Sequence, residues 1–305
     1  MQQLRSPSEA QSGRYAFAAL ILANLMLAFG PWMVRLADVG PVASGFWRMG
    51  LAAPFLLLVA RRGVIGPAAP SAKMTAVIVL GGLFFAADLA AWHVGIRMTK
   101  MANATLFGNS SSFLLVVYGF VVLRRLPRPA QALALLLAAI GTALLLGSSY
   151  ELSHEHFTGD LFAMLAGLFY CFYLIAIDRA RRTLAPMPVL AIATAAGALP
   201  LLLLALALGE TVVPTVWLPL ILLSLGSQLI GQGLLVYAVG YLSPVVVGLG
   251  LLTQPAVSAL IGWLAAGERL SLADAIGAAL IAAALVLIRL PERPALASNR
   301  GEDHS

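Results

Sequence analysis

Residues 74–96 read MTAVIVLGGLFFAADLAAWHVGI and lie between Lys73 and Arg97. At about 1.5 Å of rise per residue, a helix of this length spans the ~30 Å hydrocarbon core of a bilayer. It holds one acidic side chain, Asp88, and one histidine, His93. A charge placed so far from the ends of an apolar run is expensive in lipid, so it faces the inside of a bundle, a partner or water. This stretch predicts a buried membrane helix that carries a polar group.

The rest of the chain repeats the pattern. Of 305 residues, 61% are hydrophobic and only 10% charged, against about 25% charged in soluble domains. Mean hydropathy is +0.93. Those values exclude a soluble enzyme, a disordered chain and a secreted disulfide scaffold; Cys171 is the sole cysteine and sits in an apolar run. The pI near 9.9 does not indicate nucleic acid, because the basic residues stand singly or in twos and threes between apolar runs. Apolar runs predict spans at 15–36, 41–60, 74–96, 101–123, 130–149, 159–178, 186–208, 215–239, 243–266 and 271–290. The expected fold is an all-α integral membrane protein of ten transmembrane helices. The first run exceeds a signal peptide and lacks a small-residue cleavage site, so it reads as a retained span.

Lysine and arginine set the orientation. With the N-terminus inside, the inner segments hold Arg5, Arg14, Arg61, Arg62, Lys73, Arg124, Arg125, Arg128, Arg179, Arg181, Arg182, Arg289, Arg293 and Arg300. The outer segments hold only Arg35, Arg97, Lys100 and Arg269. Both termini are therefore expected in the cytoplasm. Sliding the chain by 144 residues lays Arg35 on Arg179 and Arg125-Leu126 on Arg269-Leu270 and superposes the runs without gaps. Five spans is an odd number, so the second copy enters the membrane upside down. The expected organisation is a tail at 1–14, a five-helix repeat at 15–149, an outside loop at 150–158, an inverted second repeat at 159–290 and a tail at 291–305. Inverted repeats are a transporter architecture with the substrate path between the halves.

Ser243-Pro244, Thr253-Gln254-Pro255, Gly267-Glu268-Arg269-Leu270 and Gly277 stand in that order in the second half. This resembles the C-terminal half of EamA-type permeases of the drug/metabolite transporter superfamily. Arg48, then Asp88-Leu89-Ala90-Ala91-Trp92-His93, Ala102-Asn103-Ala104-Thr105-Leu106 and Asn109, is similar to the first half of a branch of the same family. Three places depart from the pattern. Ser110-Ser111-Ser112 replaces a frequent proline, Leu123-Arg124-Arg125-Leu126 replaces a Gly-Glu-Arg-like ending, and Gln254 stands where an acidic residue is common. The resemblance implies export of small polar metabolites, amino acids included, from the cytoplasm.

By residue count, Arg48 lies roughly 10 Å, and Asp88 and Asn109 roughly 12 Å, below the outer boundary. An Arg48–Asp88 ion pair braced by Asn109 is expected, either to lock two spans or to gate and couple transport. Asp88 is the candidate proton carrier; His93, beside Trp92, reads as an interfacial anchor or a relay. Asn24, Asn109, Tyr170, Tyr173, Gln228, Gln232 and Gln254 are the substrate-cavity candidates, since amides and phenols offer hydrogen bonds without a buried charge. The alternative for each is an interhelical hydrogen bond. Trp32, Trp47 and Trp92 are belt or outer-gate candidates. His154 and His156 lie in an unbraced loop, and no metal or cofactor is expected.

The leading reading is a secondary transporter that exports a small polar metabolite by alternating access, in a bacterial inner membrane, as monomer or homodimer, with protons as the candidate coupling ion. The alternative is a polytopic membrane protein with a channel, structural or lipid-related role. No Walker A motif, His-Glu-x-x-His or Gly-x-Ser-x-Gly is present, so neither ATP-driven pumping by this chain nor a known hydrolytic constellation is indicated.

Overall fold

A computed structural model of the chain describes residues 7–62, 70–99, 104, 107–124, 126–147, 157–254, 256–257 and 271–289. Its elements are α1 (Pro7–Ala28), α2 (Gly30–Leu36), α3 (Pro41–Arg62), α4 (Ala72–Met98), α5 (Ser110–Leu123), α6 (Pro129–Gly147), α7 (Phe157–Arg181), α8 (Pro186–Ala207), α9 (Leu218–Leu222), a π-helix (Leu223–Gln232), α10 (Gly233–Val239), α11 (Pro244–Leu251) and α12 (Leu272–Arg289). Helix is the one open structure that meets its own backbone hydrogen bonds inside a bilayer. Among the described residues, six helical stretches are long and apolar enough to cross: Tyr15–Leu36, Pro41–Arg61, Ala72–Met98, Phe157–Arg181, Pro186–Ala207 and Leu218–Val239. Ser110–Val122, Pro129–Leu144 and Ala275–Leu287 are shorter apolar helices. The second part of the expected 243–266 span, with Pro255, and the 150–156 loop lie outside the described residues.

Proline acts differently at each site. The first span bends between α1 and α2, where Pro31 occupies the opening of α2. Pro54 and Pro200 are carried inside α3 and α8 without ending them. Helix α1 begins at Pro7, ahead of the expected boundary at residue 15, because a helix does not stop where lipid stops. Hydropathy also gave no hint of the ten-residue π-helix, since an apolar run looks alike in α and π geometry. Arg124 closes α5 in the left-handed region, φ 49°, a place usually held by glycine.

The most extensive packing joins α4 to α7, α3 to α8, α6 to α12, α4 to α8 and α5 to α11, while α1 lies along the π-helix and α10. Phe85 stacks on Tyr173 with centroids 4.6 Å apart, and Phe84 meets Phe172 at 5.1 Å, which binds α4 to α7 through rings. Helices α4 and α8 touch backbone to backbone: a Cβ at Gly197 would sit 2.7 Å from the Gly82 carbonyl oxygen. Small residues permit such approach, and packing of this kind holds helices together where lipid offers no hydrophobic drive. A second core of Val116, Ala134, Ala138, Val245, Leu249 and Ala284 joins α5, α6, α11 and α12. The outward surface is apolar, with Val117, Val121, Leu199 and Leu203 all exposed. That suits lipid and would be an aggregation liability in water.

Candidate functional site

A cavity of about 110 Å³ opens where α1, α2, α3, α4, α5, α7, the π-helix and α11 converge. This is room for several water molecules. Leu27, Ala28, Pro31, Phe85, Leu89, Trp92 and Leu251 form its apolar wall; Arg48, Asp88, Asn109, Ser111, Ser112, Tyr170, Gln232 and Gln254 supply its polar groups.

Three hydrogen-bonded chains orient the polar groups. The Gln228 amide donates to Thr194 Oγ1 at 2.9 Å, and its Oε1 accepts from Arg48 Nε at 3.2 Å. The Gln232 amide donates to the Tyr170 oxygen at 3.3 Å, and its Oε1 accepts from the Tyr173 hydroxyl at 3.3 Å. Gln254 Nε2 donates to Asn24 Oδ1 at 3.2 Å, while Asn24 Nδ2 donates to the Gly250 carbonyl at 2.7 Å and to Thr253 Oγ1 at 3.0 Å. These bonds leave particular atoms turned to the cavity. Tyr170 has accepted and keeps its own O–H; Gln254 has donated and keeps its Oε1. Arg48 rests with its Cζ 5.4 Å from the centre of the Phe85 ring.

The expected Arg48–Asp88 ion pair is corrected by the geometry. Among the described residues the ion pair is Arg182–Asp178, at 2.7 Å. Arg48 and Asp88 share the cavity wall without pairing to each other. Residue number puts both at similar depths, but direction around each helix decides contact, and Arg48 is turned toward Gln228. Asn109 lies on the wall.

The other expected site residues divide by position. Tyr170, Gln232 and Gln254 line the cavity; Asn24, Tyr173 and Gln228 are fully buried one layer behind it and hold the lining residues in place. His93 is also behind the wall. Its Nδ1 faces the Pro41 carbonyl at 2.8 Å and Ser44 Oγ at 3.0 Å, and its buried Nε2 has no partner among the described residues. The Pro41 carbonyl only accepts, so Nδ1 carries the proton. Trp92 lines the cavity. Trp32 is 41% exposed, and Trp47 donates to the Val212 carbonyl at 2.6 Å with its ring edge-on to Trp217. Phe85, Ser111 and Ser112 were not anticipated. The three consecutive serines were the signal available for the last two. For Phe85 there was none, because an aromatic residue in an apolar span carries no mark of the face it takes.

At one end of the bundle, two carboxylates cross between the halves of the chain. Glu210 accepts from the backbone N–H of Val42 at 3.2 Å and of Ala43 at 2.8 Å, capping α3. Asp38 accepts from the N–H groups of Thr215 at 2.7 Å and Val216 at 3.1 Å and from the Thr215 hydroxyl. A Cβ at Gly40 would collide with Glu210, so glycine admits the cap. At the opposite end Arg181 donates to the carbonyls of Val236, at 2.9 Å, and Leu184.

The family model of the EamA-like transporter family matches residues 14–147 and again 157–290. The chain belongs to this family. It is a membrane transporter of the drug/metabolite transporter kind, laid out as two EamA repeats, with a small-molecule substrate and the bilayer as its surroundings. None of the curated proteins matches. A crystal structure resembles the fold with a TM-score of 0.73 at 21% identity, covering 91% of this chain and 97% of that one.

Proposed function

We propose that this EamA-family protein is a secondary transporter that exports a small polar metabolite, such as an amino acid, by alternating access. The observation that carries the reading is the cavity in which Arg48 and Asp88 both face the space without pairing. A cation and a carboxylate that leave each other unsatisfied suit a ligand bearing both charges. The Tyr170 hydroxyl and Gln254 Oε1 add one donor and one acceptor. A discrete pocket with oriented polar groups favours a carrier over an open pore.

The proposed architecture is ten spans in two inverted five-helix repeats. Its support is the packing pattern. Under the 144-residue correspondence, α3–α8 and α6–α12 map onto themselves, and α5–α11 joins corresponding spans. The α4–α7 pair exchanges with the packing of α1 on the π-helix and α10. That is what a two-fold axis in the membrane plane produces. The basic residues support cytoplasmic termini in a bacterial inner membrane, with the Arg181 end inside and the Asp38 end outside. Asp88 is the proposed proton carrier, being the one carboxylate on the cavity wall among the described residues.

The test is an efflux and resistance screen. Cells expressing the chain are challenged with amino acids, their analogues, nucleosides and vitamins, and hits are repeated by counterflow in proteoliposomes. Protection and counterflow for a zwitterionic compound are expected. No protection and no counterflow for any compound would overturn the reading.

A further inference from the structure

We infer that Thr194 and Gln228 are positioning residues that turn the Arg48 guanidinium end-on to the cavity, making it a subsite for a planar carboxylate; this rests on the transporter reading. Neither residue touches the cavity. Both are fully buried, on α8 and the π-helix, and Arg48 on α3 is nearly so.

The direction of each bond follows from what each group can do. A guanidinium only donates, so Gln228 must turn its Oε1 to Arg48 Nε, as it does at 3.2 Å. The Gln228 amide N–H₂ then faces away and needs an acceptor in a place without water. Thr194 Oγ1 supplies it at 2.9 Å. The opposite amide orientation would set two donors against each other at the arginine. Thr194 thus holds Gln228, and Gln228 holds Arg48.

The consequence lies at the far end of the guanidinium. Its Nε edge is occupied by Gln228, and the Phe85 ring lies against it. The two Nη nitrogens have no hydrogen bond to any described residue, and Arg48 reaches the cavity wall. What remains open is the end-on fork, whose two parallel N–H vectors match the two oxygens of a carboxylate. A carboxamide offers one acceptor to that fork and a clashing N–H₂. The arrangement therefore discriminates a carboxylate from its amide, and the discrimination depends on a hydroxyl that never meets the ligand.

The experiment uses the full-length protein in proteoliposomes, with the twenty L-amino acids as labelled substrates and the corresponding amino acid amides as competitors. Thr194→Val keeps the shape and removes the acceptor. It is expected to raise KM about tenfold, the scale of leaving a buried donor without its partner, with Vmax within about twofold, and to lower the preference for acid over amide. Thr194→Ser keeps the hydroxyl and is expected to restore both. A second measurement needs no substrate. In detergent, the Arg48 Nε–H signal, assigned by its loss in Arg48→Lys, is expected to exchange slowly in the native protein and in Thr194→Ser, and fast in Thr194→Val. An unchanged KM and unchanged exchange in a folded Thr194→Val protein would overturn the proposal, as would failure of Thr194→Ser to restore them. If no amino acid moves but the Nε–H signal responds as expected, the transport reading falls and the positioning role stands.

Discussion

Asp88 and Glu210 are both half-buried carboxylates, and their surroundings differ. Both oxygens of Glu210 are engaged: they accept from Val42 and Ala43 N–H and close the start of α3. Asp38, at the same end, is held through its Oδ2 by Thr215 and Val216. Asp88 lies on the cavity wall with no hydrogen bond among the described residues, across from an arginine whose terminal nitrogens are equally unused. A carboxylate that accepts from backbone N–H groups of a distant segment ties segments of chain together. One left open beside a cavity has its binding capacity in reserve. The contrast is between charge engaged by the backbone and charge left open on the cavity wall.

The strongest way to break this contrast is at the open pair. Arg48→Ala is expected to cut counterflow on the order of 100-fold, the scale of losing charge-assisted hydrogen bonds to a ligand. The double variant Arg48→Asp with Asp88→Arg is expected to stay inactive, because the two side chains form no direct ion pair and the swap reverses the polarity offered to the ligand. Full recovery of transport in the swap would make the pair structural and end the contrast. Next in size, Asp88→Asn is expected to abolish the pH dependence of transport in proteoliposomes, with the protein still folded by size-exclusion and melting. Retained pH dependence would move the coupling elsewhere.

The two backbone-bound carboxylates sharpen the comparison from the other side. Glu210→Ala removes the cap on α3 and is expected to destabilise by about 0.5–2 kcal/mol, read as a lower melting temperature, with KM unchanged. A changed KM without a changed melting point would place Glu210 in the transport path. Asp38→Asn is expected to have the smallest effect, since Asp38 is exposed and screened. The Thr215 hydroxyl, then the N–H groups of Thr215 and Val216, hold its carboxyl below the usual carboxylate range. A lowered folded value means a stabilisation present above the unfolded value and lost as pH falls through the folded one. The melting difference between native protein and Asp38→Asn is therefore expected at neutral pH and to vanish on acidification. A difference that grows toward acid would reverse the assignment.

Some of the site was legible before any fold. Arg48, Asp88, Tyr170, Gln232 and Gln254 stood out because polar groups in apolar runs are costly, and all five line the cavity. Asn24, Tyr173 and Gln228 stood out for the same reason, but their place one layer back was not readable, because residue number measures depth and says nothing of direction around the axis. The caps at Glu210 and Asp38 were invisible too. Each spans more than 160 residues of chain, and no local pattern predicts which loop will meet which helix start.

By itself the sequence determined that the chain is built of apolar helices and is laid out twice, because lipid forces every backbone group to be satisfied within its own segment and leaves that demand written as runs of apolar residues. The tertiary structure alone decided which side of each helix meets its neighbour. From that came the separation of Arg48 from Asp88, the π-helix that carries Gln228 and Gln232 together, and the hidden hydroxyl of Thr194. Those features arise from close packing between distant segments, where a turn of some tens of degrees about an axis changes every partner while leaving the hydropathy of the run as it was.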